Sequence, residues 1–197
     1  MKTKTYILVL FIALTFSMCN KVKKEEVIAV EKTTSTEKKE DHPILTASDS
    51  LKLINHTIDV KGEVEFALQL SVDSLKKMNV ATIDNLKITG KNGEVKKENK
   101  TCKGVLLKDI LEKAKIKQTD HKDRNFYIVA RASDDYKATF SWAEIFNSPT
   151  GENVYVLFEE NGKPIKDGDM TIISKTDIKT GPRHVKWLKS IEVYKVK

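Results

Sequence analysis

Thr101-Cys102-Lys103-Gly104-Val105-Leu106-Leu107-Lys108-Asp109-Ile110-Leu111-Glu112-Lys113-Ala114 is the stretch on which the reading of this chain turns. Leu107, Ile110, Leu111 and Ala114 stand at i, i+3, i+4 and i+7, so one apolar stripe runs along a helix predicted to begin just after Gly104. Cys102 is expected in the turn that feeds this helix. It is the only cysteine beyond Cys19, and its thiol is either a small apolar filler or the one soft metal ligand the domain offers. Lys100, Lys103 and a nearby helix start would each lower its pKa, so the ligand reading also makes it a reactive thiolate.

Working outward, residues 126–131 and 136–140 read as the two strands of a hairpin around the acidic turn Ser133-Asp134-Asp135. Ser141 and Glu144 stand at capping-box spacing ahead of a short helix over residues 142–146. Residues 154–158 form a continuous apolar run, as a strand buried on both faces would, and Asn161-Gly162 closes it as a hairpin turn. Residues 170–174 follow as a strand; Gly181-Pro182 then breaks the chain before Val185, Trp187, Leu188, Ile191 and Val193 end it in another. Upstream, residues 56–60 and the alternating Val64, Phe66, Leu68 and Leu70 are strands around Lys61-Gly62-Glu63. Ser71 caps a helix expected over 72–78, and residues 81–89 return to strand before the tight turn at 90–93. About eight strands with two or three short helices place the domain in the α+β class, mostly β.

The amino terminus has a different character. Lys2 and Lys4, an apolar run over 6–16 and then Ser17-Met18-Cys19 have the layout of a secretory signal, residues 1–18. The run is too short for a span, which needs roughly 20 residues. Cys19 resembles the lipobox cysteine of bacterial lipoproteins, so the expected partner here is a membrane, reached through a lipid on Cys19. Residues 19–43 balance lysines against acids among Thr and Ser and read as a disordered tether for a domain over 44–197. The expected location is therefore outside the cytoplasm, facing the periplasm or the cell exterior. Without residues 1–18 the chain carries 33 basic and 28 acidic residues, a scattered excess that excludes nucleic acid as a partner. With Cys19 lipidated, Cys102 has no disulfide partner within the chain.

Four pieces in order carry a resemblance. They are Gly104-Val105-Leu106-Leu107-Lys108-Asp109-Ile110-Leu111, Asp134-Asp135-Tyr136, Asn161-Gly162-Lys163-Pro164, and Val185-Lys186-Trp187-Leu188-Lys189-Ser190-Ile191-Glu192-Val193. Together they resemble the molybdopterin-binding domain of the sulfite oxidase superfamily over about residues 50–197. The resemblance implies that fold, a pterin cofactor whose dithiolene holds molybdenum, and a cysteine thiolate completing the metal's ligands. In that family the cysteine lies upstream; here the corresponding stretch over 85–90, NLKITG, has no sulfur, and Cys102 matches a place where members often carry tryptophan. Threonine or glycine cannot replace a thiolate on a soft metal.

Arg183, His184 and Lys186 are the best polar cluster for a cofactor phosphate, a role the resemblance gives to basic residues near this strand. In an extended segment Arg183, Val185 and Trp187 point one way and His184 and Lys186 the other. Asp134, Asp135 and Tyr136 either line a substrate pocket, where paired carboxylates create a general acid, or form an ordinary acidic turn. His42, His56, His121 and His184 lack zinc-site spacing, and there is no phosphate-binding glycine loop or serine-hydrolase elbow. Two functional readings follow. One is a degenerate binding or assembly module without the molybdenum ligand, with a protein partner; the other is a redox protein still holding a molybdopterin-type cofactor near Cys102, Arg183 and His184.

Overall fold

β-Branched residues alternating with polar ones set most of the strands, and their pairing makes two sheets. The computed structural model describes residues 47–90, 92–166 and 168–197. Residues 1–18, Cys19, the tether over 19–43 and His42 lie outside them.

The first sheet contains β1 (Thr57–Gly62), β2 (Leu68–Ser71), β5 (Phe126–Ala132), β6 (Lys137–Ser141) and β10 (Leu188–Lys195), in the order β2-β1-β10-β5-β6. β1 runs parallel to β10, with Asp59 opposite Ser190, while the other neighbours are antiparallel. The second sheet contains β3 (Val80–Thr89), β4 (Val95–Leu106), β7 (Val154–Glu160), β8 (Lys163–Pro164) and β9 (Thr171–Ser174), in the order β3-β4-β7-β8 with β9 also on β7. Four short helices accompany them: α1 (Ala47–Lys52), α2 (Val72–Lys76), α3 (Leu107–Ala114) and α4 (Trp142–Phe146).

The helix that opened the sequence reading is α3, and Leu107, Ile110, Leu111 and Ala114 are all fully buried in the main core with Val105, Val156, Phe140 and Ile191. It begins at Leu107, because β4 continues through Gly104 to Leu106. Cys102 therefore lies in a strand, not in a turn. Gly104 is needed there for closeness: a Cβ would stand 2.5 Å from the Val156 carbonyl oxygen of β7.

Ser71 caps α2 by accepting the Ser74 N–H, but this helix ends at Lys76. The Ser141/Glu144 capping box is present in both directions. Asn161 and Gly162 both take positive φ, 51° and 73°, as a two-residue hairpin turn requires. β7 is buried on both faces: Val154, Val156 and Phe158 meet the main core, while Leu157 joins a second cluster with Ile83, Leu86, Ile88, Cys102 and Ile173. Of the alternating run before α2 only Leu68–Ser71 is strand; Val64 makes a single bridge to Ile116, and Phe66 stays exposed. The described residues hold ten strands where about eight were expected.

The loop after β9 returns to the second sheet at Thr180, whose buried hydroxyl accepts the Thr89 N–H at 2.9 Å and donates to the Lys87 carbonyl at 3.1 Å.

Candidate functional site

Segment 181–187 divides its side chains between two environments. Gly181–Arg183 makes one 3-10 turn, and Val185 then pairs with Ile172 of β9 through hydrogen bonds of 2.9 and 3.0 Å. That pairing buries Val185 in the main core, and alternation sends His184 and Lys186 to the opposite side. There they line a crevice of about 20 Å³ with Cys102, Leu86, Ile88 and Leu157. Three of the residues singled out from sequence thus converge: Cys102, His184 and Lys186.

Cys102 is 2% exposed, opposite Ile83 of β3 and Glu160 of β7. Leu86 and Ile88 come from the stretch where the family's cysteine would stand; a bulge at Asn85, φ 54°, carries both onto the crevice. The lysines expected to lower the thiol pKa are paired with carboxylates of β7. Lys100 pairs with Glu160, and Lys103 with Glu159 at 2.8 Å.

Arg183 faces away from the crevice. Its Nε donates to Asp177 Oδ2 at 2.6 Å, Nη2 to Asp177 Oδ1 at 2.5 Å and Nη1 to Glu144 Oε1 at 3.0 Å, with the guanidinium 4.7 Å from the Phe140 ring centre. Burial alone would raise the Asp177 carboxyl, but the hydrogen bonds from Arg183 and Ser174 hold it below the usual carboxylate range. Glu144 is likewise drawn down, against burial, by the Ser141 N–H and Arg183. The bond to Asp177 raises the guanidinium in turn. Every arm of Arg183 is occupied within the domain, and the sequence reading missed both carboxylates. Glu144 was visible only as a helix cap, a task it performs with its other oxygen.

Asp134, Asp135 and Tyr136 form the β5–β6 turn. Asp134 accepts the Tyr136 N–H at 3.0 Å, an Asx-type turn bond. Asp135, at φ 68°, pairs with Lys137 and Arg131, and the Lys137 hydrogen bond foremost holds its carboxyl low. Tyr136 donates its hydroxyl to the Pro182 carbonyl at 2.6 Å, tying this hairpin to the 3-10 turn. These three do not line the Cys102 crevice.

A pterin carrying molybdenum does not fit the residues present. The crevice holds about one water, whereas a cofactor pocket runs to roughly 300 Å³ or more. Among the described residues no three His, Cys, Asp or Glu come together as a metal-ligand set. The one buried side-chain oxygen without a partner among them, Asp109 Oδ2, belongs to α3 and not to the crevice. Three larger grooves, of about 350, 380 and 410 Å³, contain none of the candidate residues. The first of these presents Glu159 and Asp169 beside a single Lys76.

Comparison with known proteins agrees with this architecture. The model of a family described as the oxidoreductase molybdopterin binding domain matches residues 46–197. Among solved structures, the chain is similar to the sulfane dehydrogenase SoxCD from Paracoccus pantotrophus, at 16% identity and a TM-score of 0.52, over 71% of this chain and 38% of that one. That likeness is one of fold, and the chain spans well under half of that protein's length. No curated protein matches.

Proposed function

The chain belongs to the oxidoreductase molybdopterin-binding domain family, and from that premise we propose that it keeps the fold as a cofactor-free binding or assembly module, tethered outside the cytoplasm by a lipid on Cys19. The observation that carries this reading is the size and lining of the Cys102 crevice. A space of about 20 Å³ walled by Leu86, Ile88 and Leu157 favours packing over metal ligation. Arg183, the residue best suited to a cofactor phosphate, is consumed by Asp177 and Glu144. Oxidoreductase chemistry would need a ligand and a phosphate site that this chain has turned to structural ends.

One observation favours a second reading, a redox protein with a relocated ligand. Cys102 shares its crevice with Leu86 and Ile88, across the strand from where the family's cysteine belongs, and His184 and Lys186 close the other side. The experiment that separates the two is molybdenum content by mass spectrometry, with fluorescence of oxidised pterin, on protein purified from a host that makes the cofactor. Absence of both is expected. Near-stoichiometric metal and pterin, lost in Cys102→Ser, would overturn the cofactor-free reading and make Cys102 a ligand. The tether is tested separately by metabolic labelling with a palmitate analogue: label retained in Cys19→Ala removes the lipid anchor.

A further inference from the structure

β2 ends the first sheet: β1 pairs with one side of it, and no described strand pairs with the other. Such a side presents backbone N–H and C=O groups as a template for another strand; β2 offers a short one of four residues, guarded by positive charge against like-charged strands. Here it opens on a groove of about 410 Å³, floored by residues 67–70 and walled by Met78, Lys77 and, from α3, Lys113. Phe66, just before β2, is 57% exposed although its N–H is fixed by a 3.0 Å hydrogen bond to the Ala114 carbonyl. An exposed aromatic side chain on pinned backbone, one residue before the groove's floor, is how interfaces present an anchor.

Charge selects among possible occupants. Lys77 and Lys113 are exposed and make no ion pair among the described residues. If a second copy paired β2 with β2 about a two-fold axis, both copies would bring these lysines to one seam, and like charges there oppose pairing. A strand bearing carboxylates would meet them favourably. We propose that the free side of β2 is a strand-addition site for an extended, acid-bearing segment of a partner protein. Its backbone continues the first sheet, an apolar side chain packs on Phe66, Leu68 and Met78, and its carboxylates reach Lys77 and Lys113. This goes beyond the cofactor-free reading and does not depend on it, because the groove belongs to the first sheet and the Cys102 crevice to the second.

The test uses the full chain, isotopically labelled for NMR, and an acetylated heptapeptide of alternating valine and threonine with glutamate at both ends. Controls are the same peptide with lysine ends and one N-methylated on alternate amides. The glutamate peptide should bind about tenfold more tightly than the lysine peptide, slow amide exchange at residues 68–71, and lose its binding on N-methylation. The double substitution K77E/K113E, at exposed positions that leave the core intact, should reverse the preference between the two charged peptides. Equal binding of both peptides, protection elsewhere in the domain, or no binding at millimolar peptide would overturn the proposal. So would sedimentation showing a dimer in which residues 68–71 are already protected, since the occupant would then be a second copy.

Discussion

Arg183 and its neighbours His184 and Lys186 lie on one short segment, yet its two sides follow opposite rules. On one side a guanidinium is held by two carboxylates and an aromatic ring, and each of its three nitrogens donates internally. On the other, a thiol sits among leucine and isoleucine, with an imidazole and an ammonium beside a space that holds about one water. The contrast teaches that a basic residue's neighbours decide whether it serves a ligand or the fold. Arg183 has the right chemistry for phosphate and the wrong surroundings.

Acid should weaken the domain's carboxylate–guanidinium pairs, the Arg183 cluster among them, and leave the apolar side intact, with the largest effect of all. Glu192, 5% exposed, accepts both arms of Arg131 together with the Tyr194 and Ser190 hydroxyls, and Arg131 foremost holds its pKa at about 2 against an ordinary 4.5. The folded-state value is depressed, so this stability is present above the ordinary value and is lost as pH falls through about 2, on the order of 3 kcal/mol from Glu192. Asp177 and Glu144 are shifted in the same direction and add to the loss. Urea midpoints between pH 6 and pH 2 should fall steadily, and less steeply in Glu192→Gln; identical slopes would remove Glu192 from the account.

Arg183→Ala comes next, at about 2–3 kcal/mol, because it strands Asp177 with its side chain only 17% exposed. A urea midpoint unchanged by this substitution would break the comparison and return Arg183 to the candidate phosphate ligands. Cys102→Ala should cost about 1 kcal/mol, for a small buried side chain lost from the second cluster. The native thiol should resist iodoacetamide until the protein is denatured, and rapid native labelling would sharpen the contrast the other way, toward a reactive crevice. Lys186→Ala is expected to be smallest, within about 0.5 kcal/mol; a larger loss would mean that the apolar side leans on its charged rim.

What could be read from sequence was what local chemistry decides. The α3 stripe, the Ser141/Glu144 box and the Asn161-Gly162 turn each depend on residues a few positions apart, and each stands where it was expected. Cys102 was misplaced because Gly104 looks like a helix boundary, whereas its cause is the carbonyl of Val156 about fifty residues on. The same holds for the candidate site. Cys102, His184 and Lys186 were named, but that they share a crevice depends on the β4–β7 pairing and on the bridge from Val185 to Ile172. Of the carboxylates that claim Arg183, Glu144 was invisible for the same reason, since it reaches across from another element, while Asp177, six residues upstream, was simply not weighed. The fold was recognisable from ordered motifs, as was the sulfur-free stretch over 85–90; which side chains meet across the sheets was not, because that depends on tertiary neighbours.

The parallel pairing of β1 with β10 has a kinetic consequence. β10 is the middle strand of the first sheet and the last in chain order, and Asp59 finds Ser190 only by closing a loop of about 130 residues. Until then β1–β2 and β5–β6 are separate hairpins with nothing between them, and isolated hairpins are marginal in water. A chain synthesised from its amino terminus therefore cannot complete this sheet piecemeal. High contact order predicts slow, late folding, with a long interval in which the chain stays unfolded and open to chaperones.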